Sequence, residues 1–126
     1  MVNIHTVAVI GSGTMGAGIA EVAASHGHPV LVYDIDAAAI SRAVDGIRQR
    51  LSSRVARGKL SADAGEQILA RLTPVTNISA LAKADLVIEA ASERLEVKKA
   101  LFTQLAEVCP PQTLLASNTS SISVTA

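Results

Sequence analysis

The fold is decided by residues 4–34, which read IHTVAVIGSGTMGAGIAEVAASHGHPVLVYD. The β-branched run over residues 4–10 ends at a glycine and predicts a strand that is buried on both faces. From Thr14 the apolar residues recur at helical spacing, and the glycine and proline that follow predict a helix end near His26. Residues 30–33 predict a second buried strand. Together these pieces predict a βαβ unit with parallel strands and a right-handed crossover.

The rest of the chain continues this alternation. Asp36 and Ser61 are predicted helix N-caps. The later predicted elements are helices near 36–57 and 61–72, a weak strand at 73–78, a strand at 85–90, a helix at 93–108 and a strand at 113–116. Such an order predicts the α/β class with a doubly wound, mostly parallel sheet. We expect residues 1–126 to form one domain of this kind.

The composition excludes several classes of protein. The chain is 49% apolar and 17% charged, and its eleven basic residues balance its eleven acidic ones. No overall field therefore attracts nucleic acid or an anionic membrane. The longest uncharged stretch is too short and too rich in glycine to span a bilayer, and the start does not resemble a signal peptide. We expect a cytoplasmic domain without a metal site, in which the single cysteine, Cys109, serves packing.

The turn after the first predicted strand carries the chemistry. It consists of Gly11, Ser12, Gly13, Thr14, Met15 and Gly16. In this G-x-G-x-x-G pattern, Gly11 permits a tight turn, Gly13 lets the backbone approach a pyrophosphate, and Gly16 allows close contact between helix and strand. The anion would meet the N–H groups and the positive end of the helix dipole, so no lysine is needed. The alternative is that the glycines only shape a turn.

A carboxylate follows the second predicted strand at Asp34, 18 residues after Gly16. At that position it can accept hydrogen bonds from the ribose hydroxyls of adenosine, and it would repel a 2′-phosphate. Asp34 therefore favours NAD over NADP as the cofactor. The alternative is that Asp34 only caps a loop.

Other polar residues follow the later strands. Glu93 and Lys98 come after the strand that ends at Glu89, and Asn118 and Ser120 come after the last strand. Ligands of open α/β sheets bind at the carboxyl ends of the strands, so these side chains are candidates to face a nicotinamide or a substrate. The alternatives are a solvated helix start for the first pair and a turn-rich strand exit for the second.

The basic residues and the histidines give weaker signals. One predicted helix carries three arginines on one face, at Arg50, Arg54 and Arg57. They indicate either a site for a phosphate-rich substrate tail or a solvated helix face. None of the three histidines is placed to act as a catalytic base; they are His5, in the first predicted strand, and His26 and His28, at a turn.

Three separated segments resemble the NAD-binding domain of 3-hydroxyacyl-CoA dehydrogenases. They are VAVIGSGTMGAGIAEVAASHGHPVLVYD (7–34), DLVIEAASERLEVKKALFTQL (85–105) and LLASNTSSIS (114–123). Related dehydrogenases share the glycine turn but not the combination of E-A-x-x-E-x-x-x-x-K with S-N-T-S-S. The resemblance implies reversible oxidation of an (S)-3-hydroxyacyl-CoA to a 3-oxoacyl-CoA, with NAD⁺ as the hydride acceptor.

The resemblance also implies roles for individual residues. Residues 11–17 would bind the pyrophosphate and Asp34 the ribose, while Glu93, Lys98 and Asn118 would line the nicotinamide half of the site. Ser120 would reach the 3-hydroxyl of the substrate.

The family's catalytic histidine lies in a G-L-H-F-F-N-type segment beyond the serine motif, and its helical C-terminal domain forms the homodimer. The 126 residues contain neither, so we expect them to bind NAD with little turnover. The alternatives are another hydroxyacid dehydrogenase or a non-catalytic NAD-binding module.

Overall fold

The structure, a computed structural model, describes residues 4–11, 13–90 and 95–117, apart from the side chains of 95–98 and 117. In these ranges strands alternate with helices. The elements are β1 (Val7–Ile10), α1 (Thr14–Ser25), β2 (Val30–Tyr33), α2 (Ala37–Ala56), α3 (Ala62–Ala70), β3 (Leu72–Val75), a 3₁₀ helix (Ile78–Lys83), β4 (Leu86–Glu89), α4 (Leu95–Val108) and β5 (Leu114–Ser117).

The strands of the described residues form one parallel sheet in the order β3-β2-β1-β4-β5. Val7 in β1 lies opposite Val30 in β2 on one side and opposite Leu86 in β4 on the other. The chain thus builds outward from β1 to β3 and then returns across the sheet to add β4 and β5. This arrangement confirms the predicted doubly wound parallel sheet.

One face of the sheet packs against α1, α2 and α3. Val7 and Val9 of β1 point into this layer, where Ile47 and Leu51 of α2 are buried with them. Full burial of one such side chain stabilises the fold by about 1.5–3 kcal/mol.

Helix α1 approaches this face closely because it turns small residues toward it. These are Gly16, Ala17, Ala20 and Ala24. Met15 and Val22, two of the larger apolar residues whose spacing predicts the helix, are exposed.

The opposite face packs against the 3₁₀ helix and α4. Ala8 of β1 and Val87 of β4 point into this layer, together with Leu81 and Leu105, which are fully buried. Cys109 is partly buried against the same cluster, with its Sγ 3.6 Å from the carbonyl oxygen of Leu81. Burial raises the pKa of the Cys109 thiol. The packing role predicted for this cysteine is confirmed.

The first strand is shorter than the sequence predicts, because β1 begins at Val7 rather than at residue 4. The reason is the side chain of Asp85, which lies 79 residues after Thr6 in the sequence. The backbone N–H groups of His5 and Thr6 both donate to Oδ2 of Asp85, each at 2.9 Å, instead of to a neighbouring strand.

The region between α2 and β4 also differs in detail. The helix predicted to end near residue 72 ends at Ala70, and Leu72 already belongs to β3. β3 contains Pro74 and lies at the edge of the sheet, where a missing N–H costs least. The 3₁₀ helix was not predicted; its cap is Asn77, whose side chain accepts from the N–H of Ser79 at 2.9 Å.

The predicted N-caps are confirmed, since Asp36 and Ser61 accept from the second and third backbone N–H groups of their helices. In the described part of the chain no helix combines the length and apolar character needed to cross a membrane.

Candidate functional site

The glycine turn lies at the carboxyl edge of the sheet, where β1 leads into α1. Gly11 has φ +97°, a conformation that strongly favours glycine. Its N–H donates to the carbonyl oxygen of Tyr33 at 2.8 Å, which ties the turn to the end of β2. The tight turn predicted at Gly11 is therefore present.

Gly16 is glycine because of packing inside the protein. A Cβ there would overlap the carbonyl oxygen of Gly11 and lie 2.8 Å from its carbonyl carbon. Since those are backbone atoms, no rotamer change can make room. The close approach of helix and strand predicted at Gly16 is also present.

Gly13 has no such requirement. Its φ is −66°, which any residue adopts, and a Cβ added there would meet nothing within 4 Å. Gly13 is the N-cap of α1, where no side chain caps the helix and no acidic residue lies in the first turn. At Gly13 the outer surface is therefore bare, with the positive end of a 12-residue helix behind it. This surface fits a pyrophosphate, which needs close backbone approach and no side chain in the way.

Asp34 lies at the same edge, directly after β2. Its Oδ1 accepts from the N–H of Asp36 at 2.9 Å, and Asp36 in turn caps α2 by accepting from the N–H of Ala38 at 3.0 Å. This pair of turns holds the Asp34 carboxylate in a fixed orientation beside the glycine turn. The structure thus brings together the two features that the sequence predicts for binding a dinucleotide.

The other predicted site residues are only partly within the described structure. Thr14 and Met15 form the first turn of α1, and Met15 is 58% exposed. Lys98 lies in α4, but its side chain is outside the described residues. The remaining predicted residues, Ser12, Glu93, Asn118 and Ser120, are also outside them.

Two of the three arginines predicted to share a helix face, Arg50 and Arg54, lie in α2 and have an acidic partner, whereas Arg57 is the C-cap of the helix. Arg50 pairs with Glu21 of α1 at 2.7 Å, and Arg54 approaches the same carboxylate at 4.0 Å. Glu21 therefore ties α1 to α2 through these arginines. The side chains of Arg50 and Arg54 are 50% and 42% exposed, as the interpretation of a solvated helix face expects, and they pair in addition with the 16% exposed Glu21.

Two further residues near the carboxyl edge have no predicted role in the site. Glu89 ends β4 between Ile10 and Ser117 and is only 1% exposed. Its position as an acid that ends an apolar strand is the sequence signal for it. Arg42 lines a cavity of about 240 Å³ between α1 and α2, opposite Gly13 and Thr14. Among the described residues no three His, Cys, Asp or Glu side chains are grouped as metal ligands.

A larger cleft, of about 720 Å³, runs along α1 beside β4. Met15 and Thr14 line its end at the carboxyl edge, and Ile88 of β4 and Val22 of α1 line its apolar wall. Its lining lacks the aspartate and arginine side chains that flank the glycine turn. The cavity opposite Gly13 and the larger cleft thus meet at the first turn of α1.

The reversal of strand order at β1 and the bare surface at Gly13 define a doubly wound dinucleotide-binding domain, the Rossmann class. The sequence model of "3-hydroxyacyl-CoA dehydrogenase, NAD binding domain" matches residues 6–126. The chain belongs to this family, and its cofactor is NAD.

Known proteins agree with this assignment. The chain is 77% identical to 3-hydroxyadipyl-CoA dehydrogenase of Escherichia coli (strain K12), with 100% of this chain and 26% of that protein covered. It is 40% identical to 3-hydroxybutyryl-CoA dehydrogenase of Clostridioides difficile, covering 94% of this chain and 42% of that protein. The crystal structure of 3-hydroxybutyryl-CoA dehydrogenase from E. coli K12 superposes with a TM-score of 0.93 at 77% identity, covering 97% of this chain and 26% of that one. The chain thus spans less than half the length of these relatives.

Proposed function

We propose that these residues are the NAD-binding domain of an enzyme that oxidises (S)-3-hydroxyacyl-CoA to 3-oxoacyl-CoA. The observation that carries this proposal is the bare surface at Gly13, since the fold itself does not require glycine there. The names of the relatives support the substrate class, because they combine a 3-hydroxyacyl group with CoA.

The described residues have distinct tasks in this proposal. The backbone of the glycine turn and the first turn of α1 bind the pyrophosphate, because their N–H groups point out of a helix end without an acidic side chain. Asp34 accepts hydrogen bonds from the ribose hydroxyls, and the N–H of Asp36 keeps its carboxylate in place. Bound NAD⁺ supplies the hydride acceptor. Residues 1–126 thus form the cofactor-binding domain.

The remaining roles follow from the family resemblance. Glu93, Lys98 and Asn118 line the nicotinamide half of the site, and Ser120 orients the 3-hydroxyl of the substrate. The proton of that hydroxyl needs a base within hydrogen-bond reach.

The three histidines of this chain do not meet that need. The ring of His28 bonds the carbonyl oxygen of His5 at 2.9 Å, and the ring of His26 bonds that of Val22 at 2.8 Å. Both pairs lie at the amino edge of the sheet, opposite the glycine turn. The family resemblance implies a histidine base beyond the serine motif, and we propose that this enzyme uses one there.

Cofactor binding is tested by Asp34→Ala. We expect the affinity for NAD⁺ or NADH, measured by calorimetry, to fall at least about tenfold, because charge-assisted hydrogen bonds to the ribose are lost. Asp45→Ala is the matched control, since Asp45 is an exposed acid of α2 that pairs only locally with Arg48. Equal affinity of Asp34→Ala and the unaltered protein would contradict the ribose assignment.

Activity is tested with the full-length protein, acetoacetyl-CoA and NADH. We expect the absorbance of NADH to fall as NADH is oxidised. The assay also compares 3-oxoadipyl-CoA as a second substrate, because the relatives are named for different acyl groups. NADH binding without oxidation of NADH by either substrate would indicate a non-catalytic binding module instead.

We also propose that the full-length enzyme is a cytoplasmic homodimer, assembled through its C-terminal domain, without a nucleic-acid or membrane partner. For residues 1–126, the formal net charge of zero supports the absence of a strongly anionic partner. The homodimer rests on the family resemblance.

A further inference from the structure

Glu89 is the only acidic side chain that is fully buried in the described part of the chain. Burial of a carboxylate away from water costs free energy, and helices that begin at the same edge of the sheet offset part of that cost. α1 begins at Thr14, after β1, and α4 begins at Leu95, after β4, so both turn their positive ends toward this edge. The pyrophosphate and the ribose, which we place beside β1 and β2, do not account for an acid on β4.

Glu89 lies where the strand order of the sheet reverses. It is opposite Ile10 of β1 on one side and opposite Ser117 of β5 on the other. It follows Val87 by two residues, and side chains alternate along a strand, so Glu89 points to the face that α4 covers. In open α/β sheets the ligand binds outside the carboxyl ends of the strands at such a reversal.

The nicotinamide half of the cofactor belongs to this part of the edge in the proposed function, on which the inference below rests. Glu93 and Lys98, which the family resemblance assigns to that half, follow β4 in the sequence, and Asn118 follows β5. Glu89 ends the first of these strands and is paired with the end of the second. An acid at this position is therefore an acid beside the expected place of the nicotinamide ring.

The charge of the nicotinamide ring differs between the two forms of the cofactor. The ring is a cation in NAD⁺ and becomes neutral in NADH, when it accepts the hydride with its electron pair. A fixed negative charge nearby therefore attracts only the oxidised ring, and this attraction is stronger in a buried site than in water.

We propose that the Glu89 carboxylate is a buried negative charge that strengthens the binding of NAD⁺ relative to that of NADH. Contact with the ring is not required, because a Coulomb attraction acts over several ångström. Since the charge stabilises the oxidised ring, Glu89 makes bound NADH a stronger hydride donor than it would be without the carboxylate.

The test measures the affinities of the full-length protein for NAD⁺ and for NADH separately, by calorimetry at neutral pH. Glu89→Gln removes the charge and keeps the size of the side chain and an oxygen that can accept hydrogen bonds. We expect the ratio of NAD⁺ affinity to NADH affinity to fall at least about fivefold. Glu89→Asp keeps the charge on a shorter side chain, so it should change this ratio less than about twofold even where it lowers the urea midpoint.

Asp85→Asn is the matched control, since it makes the same change from carboxylate to amide at the opposite end of β4. Asp85 directly precedes the strand and lies about 13 Å from Glu89 along it. We expect Asp85→Asn to leave the ratio of the two affinities within about twofold, although it destabilises the protein. Where Glu89→Gln does not fold, Glu89→Met takes its place, because methionine has a similar volume and no charge.

Three results would overturn the inference: an unchanged ratio in Glu89→Gln, an equal fall in Glu89→Asp, or an equal fall in Asp85→Asn. The second would indicate that the shape of the side chain matters rather than its charge. Failure of the proposed function has a different signature, because the unaltered protein would then bind neither NAD⁺ nor NADH.

Discussion

The three glycines of the turn are glycine for three different physical reasons. Gly11 needs a backbone conformation that other residues rarely adopt, and Gly16 needs the absence of a Cβ because backbone lies against it. Gly13 needs neither, and its glycine is explained by the ligand that we propose. One sequence motif therefore combines two requirements of the fold with one of function.

Gly16→Ala tests whether the fold requires the absence of a Cβ at Gly16. Gly18→Ala, one helical half-turn further along α1, is the comparison. We expect Gly16→Ala to lower the free energy of unfolding by about 1–3 kcal/mol, because the new methyl group overlaps Gly11. A Cβ at Gly18 meets nothing within 4 Å, so Gly18→Ala should raise it by about 0.5–1 kcal/mol through the helix preference of alanine. Urea unfolding measures both. Equal stability of the two variants would show that the turn relaxes around the added methyl group.

Among the elements, the start of β1 depends on β4. Asp85 directly precedes β4, and its carboxylate accepts the two N–H groups before β1, those of Thr6 and His5. These hydrogen bonds hold the pKa of Asp85 below its usual value. A carboxylate with a lowered pKa stabilises the fold while it is ionised.

Asp85→Asn should therefore destabilise the protein in a pH-dependent way. Because the pKa in the folded state lies below that of the unfolded chain, the contribution of Asp85 is complete above the ordinary pKa of 3.8 and is lost as the pH falls through the folded pKa. We expect the urea midpoint of the variant to be lower at neutral pH and to approach that of the unaltered protein in acid. Asp45→Asn, at an exposed pair on α2, is the control. A difference that stays constant across this range would exclude the charge as its cause.

At the scale of the whole molecule, contacts between distant segments set the geometry of the site. Arg50 and Glu21 are 29 residues apart and join α2 to α1 behind the glycine turn. The hydrogen bond from Gly11 to Tyr33 joins the turn to β2, and thereby places it beside Asp34. Contacts of the glycine turn and α1 with β2 and α2 therefore set the geometry of the site, although the glycine motif itself is continuous in the sequence.

Much of this arrangement could be predicted from the sequence, and the omissions share a cause. Strand and helix types follow from apolar periodicity, and the caps Asp36 and Ser61 follow from local chemistry. The start of β1 at Val7 rather than at residue 4, however, depends on Asp85, and no local sequence pattern relates Asp85 to His5. Burial of Glu89 likewise depends on strands added on both sides of β4.

The α/β class, the glycine turn and the family can be recognised from the amino acids alone, because they depend on local periodicity and on motifs with fixed spacing. Which charged side chains are held in ion pairs, and how tightly, follows only from the packing of the folded chain. Pairing of Arg50 with Glu21, and the weak pairing that leaves Arg42 accessible, arise where α1 and α2 pack together. The physical reason is that strength of an ion pair depends on distance and burial, which are set by segments far apart in the chain.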